Sequence, residues 1–334
     1  PWAETNIAAI KSVFEADEFL VTGMVLKADH IRVDLENKKF RSTAQALGRV
    51  ISTLQRFSGD KIGYAIIVFT DGILPLASYR VDLQEIGEHQ NGVKKIDDFE
   101  KIVTPEGIQA LLPEDETQKL EWGFGPYFDY KLFDPLQPIR AELGVAFGVG
   151  YKFSNELEIS TALKKSILTD LDTVLRQSDS QLPHVHSDFP LYDQAGQPGH
   201  LNHLAINHVN KISKNVFSKV SVGYLEPMYA GITGELLYKR PDSNFAAGVD
   251  LSAVQMRDFN MLLGLRDYQT ATGHLNLYYD AGGGFDLEAN VGKYLAKDWG
   301  VTTKISRRFS NGWSVGAYAT LTDVPFDTFG EGSF

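Results

Sequence analysis

Residues Ala141–Phe153 read AELGVAFGVGYKF, and the fold turns on that alternation. Leu143, Val145, Phe147, Val149, Tyr151 and Phe153 share one parity, and Gly144, Ala146, Gly148, Gly150 and Lys152 share the other. Successive side chains of a strand point to opposite faces, so a period of two predicts a strand with one large apolar face and one small or polar face. Its length suits a tilted membrane-crossing strand, about 9–11 residues. A barrel with lipid outside and a crowded lumen inside has this pattern. So does a strand of a soluble sandwich, and the neighbouring sequence has to separate the two.

From Leu120 onward the alternation recurs. Trp122–Tyr130 precedes the quoted stretch, and Leu157, Ile159, Thr161 and Leu163 follow it. Then come segments at 217–224, 231–239, 245–257, 273–280, 285–294, 301–309 and 313–321, with turn residues such as Ser310-Asn311-Gly312 between them. Successive amphipathic strands with tight turns predict an antiparallel up-and-down meander, and closure into a barrel removes its edges. Glu158, Glu235, Asp250, Asp286, Glu288, Lys304 and Arg308 occupy the polar parity, as a charged lumen requires. Trp122, Tyr151, Tyr224, Tyr238, Tyr294, Trp299 and Trp313 fall near segment ends, where interfacial girdles place aromatics. These two features favour an outer-membrane β-barrel over a soluble β-domain. Whether these strands close the barrel by themselves is left open by the sequence.

The first part reads differently. Residues 1–112 predict a small α/β domain: strands at Phe19–Leu26 and Ile31–Leu35, then one helix packed across the sheet. That helix carries Phe40, Ala44, Leu47, Ile51 and Leu54 at three- and four-residue intervals, with Ser42 and Gln45 at capping-box spacing. Lys61–Phe69 is an apolar run suited to a strand covered on both faces, and Asp71-Gly72 signals a hairpin into Ala77–Leu83. A polar connecting region with a short helix or two leads to a linker at 113–119, and strands fill 120–334.

Composition bounds the function. The 334 residues carry a net charge of −11, which argues against nucleic acid as a partner. The absence of cysteine excludes disulfides, thiolate metal sites and cysteine nucleophiles. No run approaches the 18 or so apolar residues of a transmembrane helix. The opening PWAETN lacks a signal-peptide pattern, so the chain reads as a mature protein or an excised piece. Five of the eight histidines fall in Pro183–His208, but its prolines and glycines predict a long loop, or a loop entering a strand, rather than a metal site. Asp170 with Asp172, and Glu114-Asp115-Glu116, read as solvated acids, and Gly282-Gly283-Gly284 as a turn. The expectation is no catalytic residue, no metal and no cofactor.

Several stretches together resemble the YjbH family of Gram-negative exopolysaccharide and capsule proteins, including its GfcD-like members. These are Leu182–Asp188 with Tyr192, Gly223–Gly231 running on to Gly234–Tyr238, Thr272-Gly273-His274, Gly292–Asp298 and Phe329–Phe334, with Ala46–Arg49, Gly72–Pro75 and Tyr79-Arg80 upstream. The resemblance implies the later part of a longer outer-membrane protein, with an N-terminal module in the periplasm and a β-barrel after it. It implies a non-enzymatic role in exopolysaccharide export or assembly, with exopolysaccharide, outer-membrane lipid and other secretion proteins as partners. The family usually has Arg where this chain has His186, so no fixed-charge role carries over to that position. FGEGSF normally continues in the family, so the end reads as an internal cut. Tyr224, Glu226, Tyr229 and Glu235 are the expected polysaccharide contacts, with His184, His186, Asp188 and Tyr192 as loop candidates. A general porin with a periplasmic docking module, and a soluble carbohydrate-binding or carbohydrate-active β-domain, are the alternatives.

Overall fold

The computed structural model describes residues 2–27, 29–40, 42–58, 62–71, 74–90, 102–105, 120–132, 138–154, 156–171, 180–240, 243–309 and 311–329. The first sheet holds β1 (Phe19–Leu26), β2 (His30–Asn37), β3 (Tyr64–Asp71), β4 (Leu74–Asp82) and β5 (Val103–Pro105), in that order. Only β2 and β3 run parallel. A parallel pair needs a crossover, and α2 (Thr43–Ser58) supplies it. Leu47, Val50, Ile51 and Leu54 on α2 bury against Val33, Leu35, Ala65 and Ile67 of the central strands. Val68 is also buried although it points to the other face of β3, as its continuous apolar run requires.

The expectation of one helix across the sheet with short helices only in the connecting region missed α1 (Trp2–Ala16), whereas α3 (Leu83–Gln90) falls where a short helix was expected. Helix α1 packs on β1 and α2 through Ile10 and Phe14, a stripe too narrow to stand out beside that of α2. Helix α3 packs on β3. Strand β5 is too short to leave a periodic signal. The linker at 113–119, Gly72, Asp172 and Glu114–Glu116 lie outside the described residues. Leu54 is 1% exposed, so Leu54→Ala should destabilise this sheet by about 3 kcal/mol through lost burial and a cavity. Hydrogen exchange of the β2 and β3 amides in the full chain reads that loss, and protection within about 1 kcal/mol of the parent contradicts it.

The second sheet has eleven strands, each antiparallel to the one before it. They are β6 (Leu120–Leu132), β7 (Ile139–Lys152), β8 (Leu157–Thr169), β9 (His200–Ser213), β10 (Val216–Tyr224) and β11 (Tyr229–Lys239). The series continues with β12 (Phe245–Arg257), β13 (Leu265–Gly282), β14 (Phe285–Lys293), β15 (Trp299–Arg308) and β16 (Ser314–Thr322). Of the two expectations for 183–208, the loop entering a strand is the one found: His200, His203 and His208 lie on β9, and the loop before it carries α4 (Phe189–Gly196). Asparagines and histidines fall on both parities of β9 and hide its period from an apolarity count. A last short helix, α5, spans Phe326–Phe329. Among the described residues β6 and β16 share no ladder, so these eleven strands form an open sheet and not a closed barrel.

Register fixes the faces. Leu236, Val249, Leu275, Val291, Val301 and Leu321 stand opposite one another across β11 to β16. All but the half-buried Val301 are 39–64% exposed. Phe124, Phe147 and Leu163 form a similar exposed row across β6 to β8. The other face is polar and paired. Lys152 meets Glu121 at 2.7 Å, Lys164 meets Asp129 at 2.9 Å, and Arg308 forks onto Asp286 at 2.9 and 3.1 Å. Asn276 donates to Asp250 at 2.7 Å and Asn290 donates to Asn276 at 2.7 Å.

The sheet is rolled around this polar face. Thr233 on β11 and Thr320 on β16 are five strand steps apart, about 24 Å in a flat sheet, yet both line one cavity of about 590 Å³. The two ends of the sheet also differ. At one end the connections are short, at 153–156, 214–215, 240–244, 283–284 and 309–313. The other end carries the segment at 180–199 with α4 and the loop at 258–264, together with the 225–228 and 294–298 turns. Strand β6 starts at the short-turn end, so the chain from the first sheet enters there. Among the described residues no helix is long and apolar enough to cross a membrane, which says nothing of strands.

Candidate functional site

The long-loop end has its own core. Tyr192, Met228, Tyr229, Val254, Met256 and Met261 are buried together, with Val185, Phe189, Phe259 and Tyr268 against them. Residue types explain the arrangement: aromatics and methionines fill an irregular space between loops, and each buried phenol needs a partner for its hydroxyl. Tyr192 Oη donates to Arg257 O at 2.7 Å, Tyr229 Oη to Val185 O at 3.0 Å and Tyr268 Oη to Leu295 O at 2.7 Å. Burial pushes the Tyr192 phenol above its usual range, which keeps it a donor. Three loops are tied to one another through main-chain carbonyls.

Arg257 closes the cluster. Its side chain is fully buried and its guanidinium donates to four carbonyls. Nη1 reaches Glu226 O at 2.6 Å, and Nη2 reaches Leu201 O at 2.8 Å, Met261 O at 2.5 Å and Leu262 O at 3.1 Å. The Tyr224 ring lies 5.1 Å from the guanidinium carbon, and its hydroxyl donates to Leu263 O at 2.8 Å. Leu201 and Arg257 sit three strands apart, about 14 Å in a flat sheet and beyond the reach of an arginine, so the clasp itself depends on the roll. Gly223 and Gly231 face each other just inside it. A Cβ on either would stand 2.2 Å from a carbonyl of the neighbouring strand, and φ at Gly223 is +138°.

Seven of the eight sequence candidates meet here. His184 Nδ1 pairs with Asp188 at 2.9 Å, and its Nε2 lies 3.2 Å from Ser180 O. His186 Nε2 is 3.3 Å from Glu226 Oε1, and its ring meets Tyr229 edge-on at 5.8 Å. Asp188 also faces Arg266 at 3.9 Å, at the start of α4. The two loop histidines therefore take different carboxylates, and among the described residues no three ligand-type side chains converge. Glu235 is not part of the cluster. It stands in mid-strand on the polar face, opposite Lys219 and Asp250.

The cavity opens beside the cluster. Its walls are His186, Glu226 and Tyr229 on the loop side, and hydroxyl-bearing Thr233, Ser252, Thr272, Thr320 and Thr322 on the sheet side. Ser252 donates to Thr233 at 2.8 Å, and Tyr294, Thr302 and Thr320 form a hydroxyl chain at 2.7 and 2.8 Å. Single-residue reading missed Arg257, His274 and Asp298, and it assigned to an interfacial girdle Tyr294, which instead lines the cavity. His274, Tyr294 and Asp298 lay within Thr272–His274 and Gly292–Asp298, two of the stretches that carry the family resemblance, and these now border one cavity with Gly223–Gly231 and Leu182–Asp188.

Comparison with known proteins agrees with that resemblance. The profile of the YjbH family, described as "Exopolysaccharide biosynthesis protein YbjH", matches residues 3–334. A protein of Escherichia coli strain K12 with the name "Uncharacterized lipoprotein YjbH" is 27% identical over 323 residues. The match covers 92% of this chain and 46% of the relative, so the chain spans about half the length of that curated relative. No solved structure matches.

Proposed function

The chain belongs to the YjbH family of exopolysaccharide biosynthesis proteins, and from that premise we propose that it is a non-enzymatic wall element of an outer-membrane export or assembly device. The observation that carries the reading is the inverted sheet: apolar side chains stand exposed on one face of eleven strands, and paired charges fill the other. A water-soluble protein seldom exposes an apolar patch beyond a few hundred Å², whereas a membrane strand needs that face for lipid. Nine to eighteen residues per strand is enough to cross a bilayer with tilt.

Lipid-exposed edges are not tolerated within a bilayer, so in this reading further strands complete the wall beyond β6 and β16. The short turns face the periplasm, as in outer-membrane barrels, and the first sheet enters on that side. The name of the relative, a lipoprotein, is consistent with an envelope location. Polysaccharide-pathway proteins and the glycan itself are the partners this reading implies.

Migration tests it. Expressed with a signal peptide and its natural flanks, the chain should fractionate with outer membranes, require detergent and shift in gel mobility on boiling. A monomer released into the soluble periplasmic fraction contradicts the reading and favours a soluble glycan-binding β-domain.

A further inference from the structure

We infer that the cavity beside the loop cluster is a binding subsite for an uncharged glycan segment; this deepens the exopolysaccharide reading and rests on it. At about 590 Å³ it falls within the range of ligand pockets, about 300–1,000 Å³, with room for about two or three pyranose rings. Two of its buried polar atoms lack a protein partner: Nε2 of His274 and Oδ1 of Asp298. An unpaired buried polar atom is costly, and at a cavity wall a ligand group can supply the partner.

The chemistry of these atoms selects the ligand. His274 Nδ1 lies 3.1 Å from Asp250 Oδ2, and a carboxylate only accepts, so that nitrogen carries a proton and the Nε2-unprotonated tautomer presents a lone pair to the cavity. Asp298, only 7% exposed, presents a carboxylate oxygen. Both accept, so the ligand has to donate. A hydroxyl-rich sugar does so, and a phosphate or a uronate carboxylate does not. Among the described residues neither lysine nor arginine lines the cavity, whereas Glu226 and Asp298 both do, which further disfavours an anion. The Tyr294 ring, held edge-on to His274 at 4.9 Å, offers the flat apolar surface on which a pyranose stacks.

Titration of the full-length protein in detergent with cellotriose, maltotriose and β-galactotriose, each against trigalacturonate, tests the inference. At least one neutral trisaccharide should bind saturably, and trigalacturonate at least tenfold more weakly. His274→Phe and Asp298→Ala should each weaken the neutral ligand tenfold or more, and Arg308→Gln, on the same face outside the cavity, should leave it unchanged. Thr320→Trp removes no buried group and fills the cavity from the opposite strand, so it should abolish binding even if the other two variants fail to fold. No saturable neutral binding, equal binding of trigalacturonate, or full binding by the Thr320→Trp protein overturns the assignment. A protein that shifts on boiling yet binds no trisaccharide loses only the subsite. One that binds but is soluble loses only the membrane reading.

Discussion

Arg257→Met should release the turn at 225–228 and the loop at 258–264 while leaving the strand ladders in place. Methionine keeps most of the side-chain volume and removes the burial of a charge, which by itself favours the variant. The partners, however, are main-chain carbonyls, and no compensating substitution can make them apolar. Met261 O keeps the amide of Leu201 at 3.1 Å, but the carbonyls of Leu201, Glu226 and Leu262 lose their bond to the guanidinium. At about 1–3 kcal/mol for each stranded group, the loss outweighs the gain and comes to about 3 kcal/mol or more. Hydrogen exchange should rise by two orders of magnitude or more at 225–228 and 258–264, with β14 to β16 unchanged. Arg257→Lys should recover less than half, because an ammonium on a single stem cannot fork between carbonyls on three chain segments. Native protection in the Arg257→Met protein would show that aromatic packing alone holds the loops.

This clasp also marks where sequence reading ends. The strands were legible because each carries its own period of two, and register then followed from short turns such as Gly283-Gly284. Helix α2 was legible for the same reason at a period of 3.6. Arg257 had no such signal. It ends a strand in the run Val-Gln-Met-Arg, and its role depends on carbonyls from β9, the β10–β11 turn and the loop after β12. Carbonyls have no side-chain identity to read. The cavity was half legible. Tyr224, Glu226 and Tyr229 stood out as an aromatic and acidic turn, and the structure brings His186 to Glu226 across 40 residues. His274 and Asp298 did not stand out, since a lone histidine in a strand and a lone aspartate in a turn are common, and only the fold shows that each is left with an unpaired atom. Glu235 reads the other way. Its charge and parity marked it, but on the polar face it is one charge among many, between Lys219 and Asp250. Closure lies in a different category again, because an alternating pattern states which face each residue takes and carries no count of the strands needed to complete the circle.

The membrane reading and the soluble alternative predict opposite signs for one substitution. Leu275 is 53% exposed in the middle of β13, flanked across the sheet by Val249 and Val291. If that face meets lipid, Leu275→Arg puts a charge near the bilayer midplane, at a cost of about 2–4 kcal/mol. The heat-modifiable fraction in outer membranes should then fall by a factor of about 30 or more. If the face meets water, the same change is a surface substitution within about 0.5 kcal/mol of neutral, and it breaks an apolar patch, so yield should hold or rise. Glu235→Arg supplies the control, since it places the same side chain on the polar face opposite Asp250. There the side chain exchanges Lys219 for Asp250 as its opposite charge and stays in a hydrated surrounding, so assembly should be unchanged. The contrast between the two positions is the diagnostic quantity. Loss at Leu275 alone requires a lipid-facing convex surface. Equal loss at both would point to disturbed pairing, and tolerance at both would remove the strongest argument for a membrane wall.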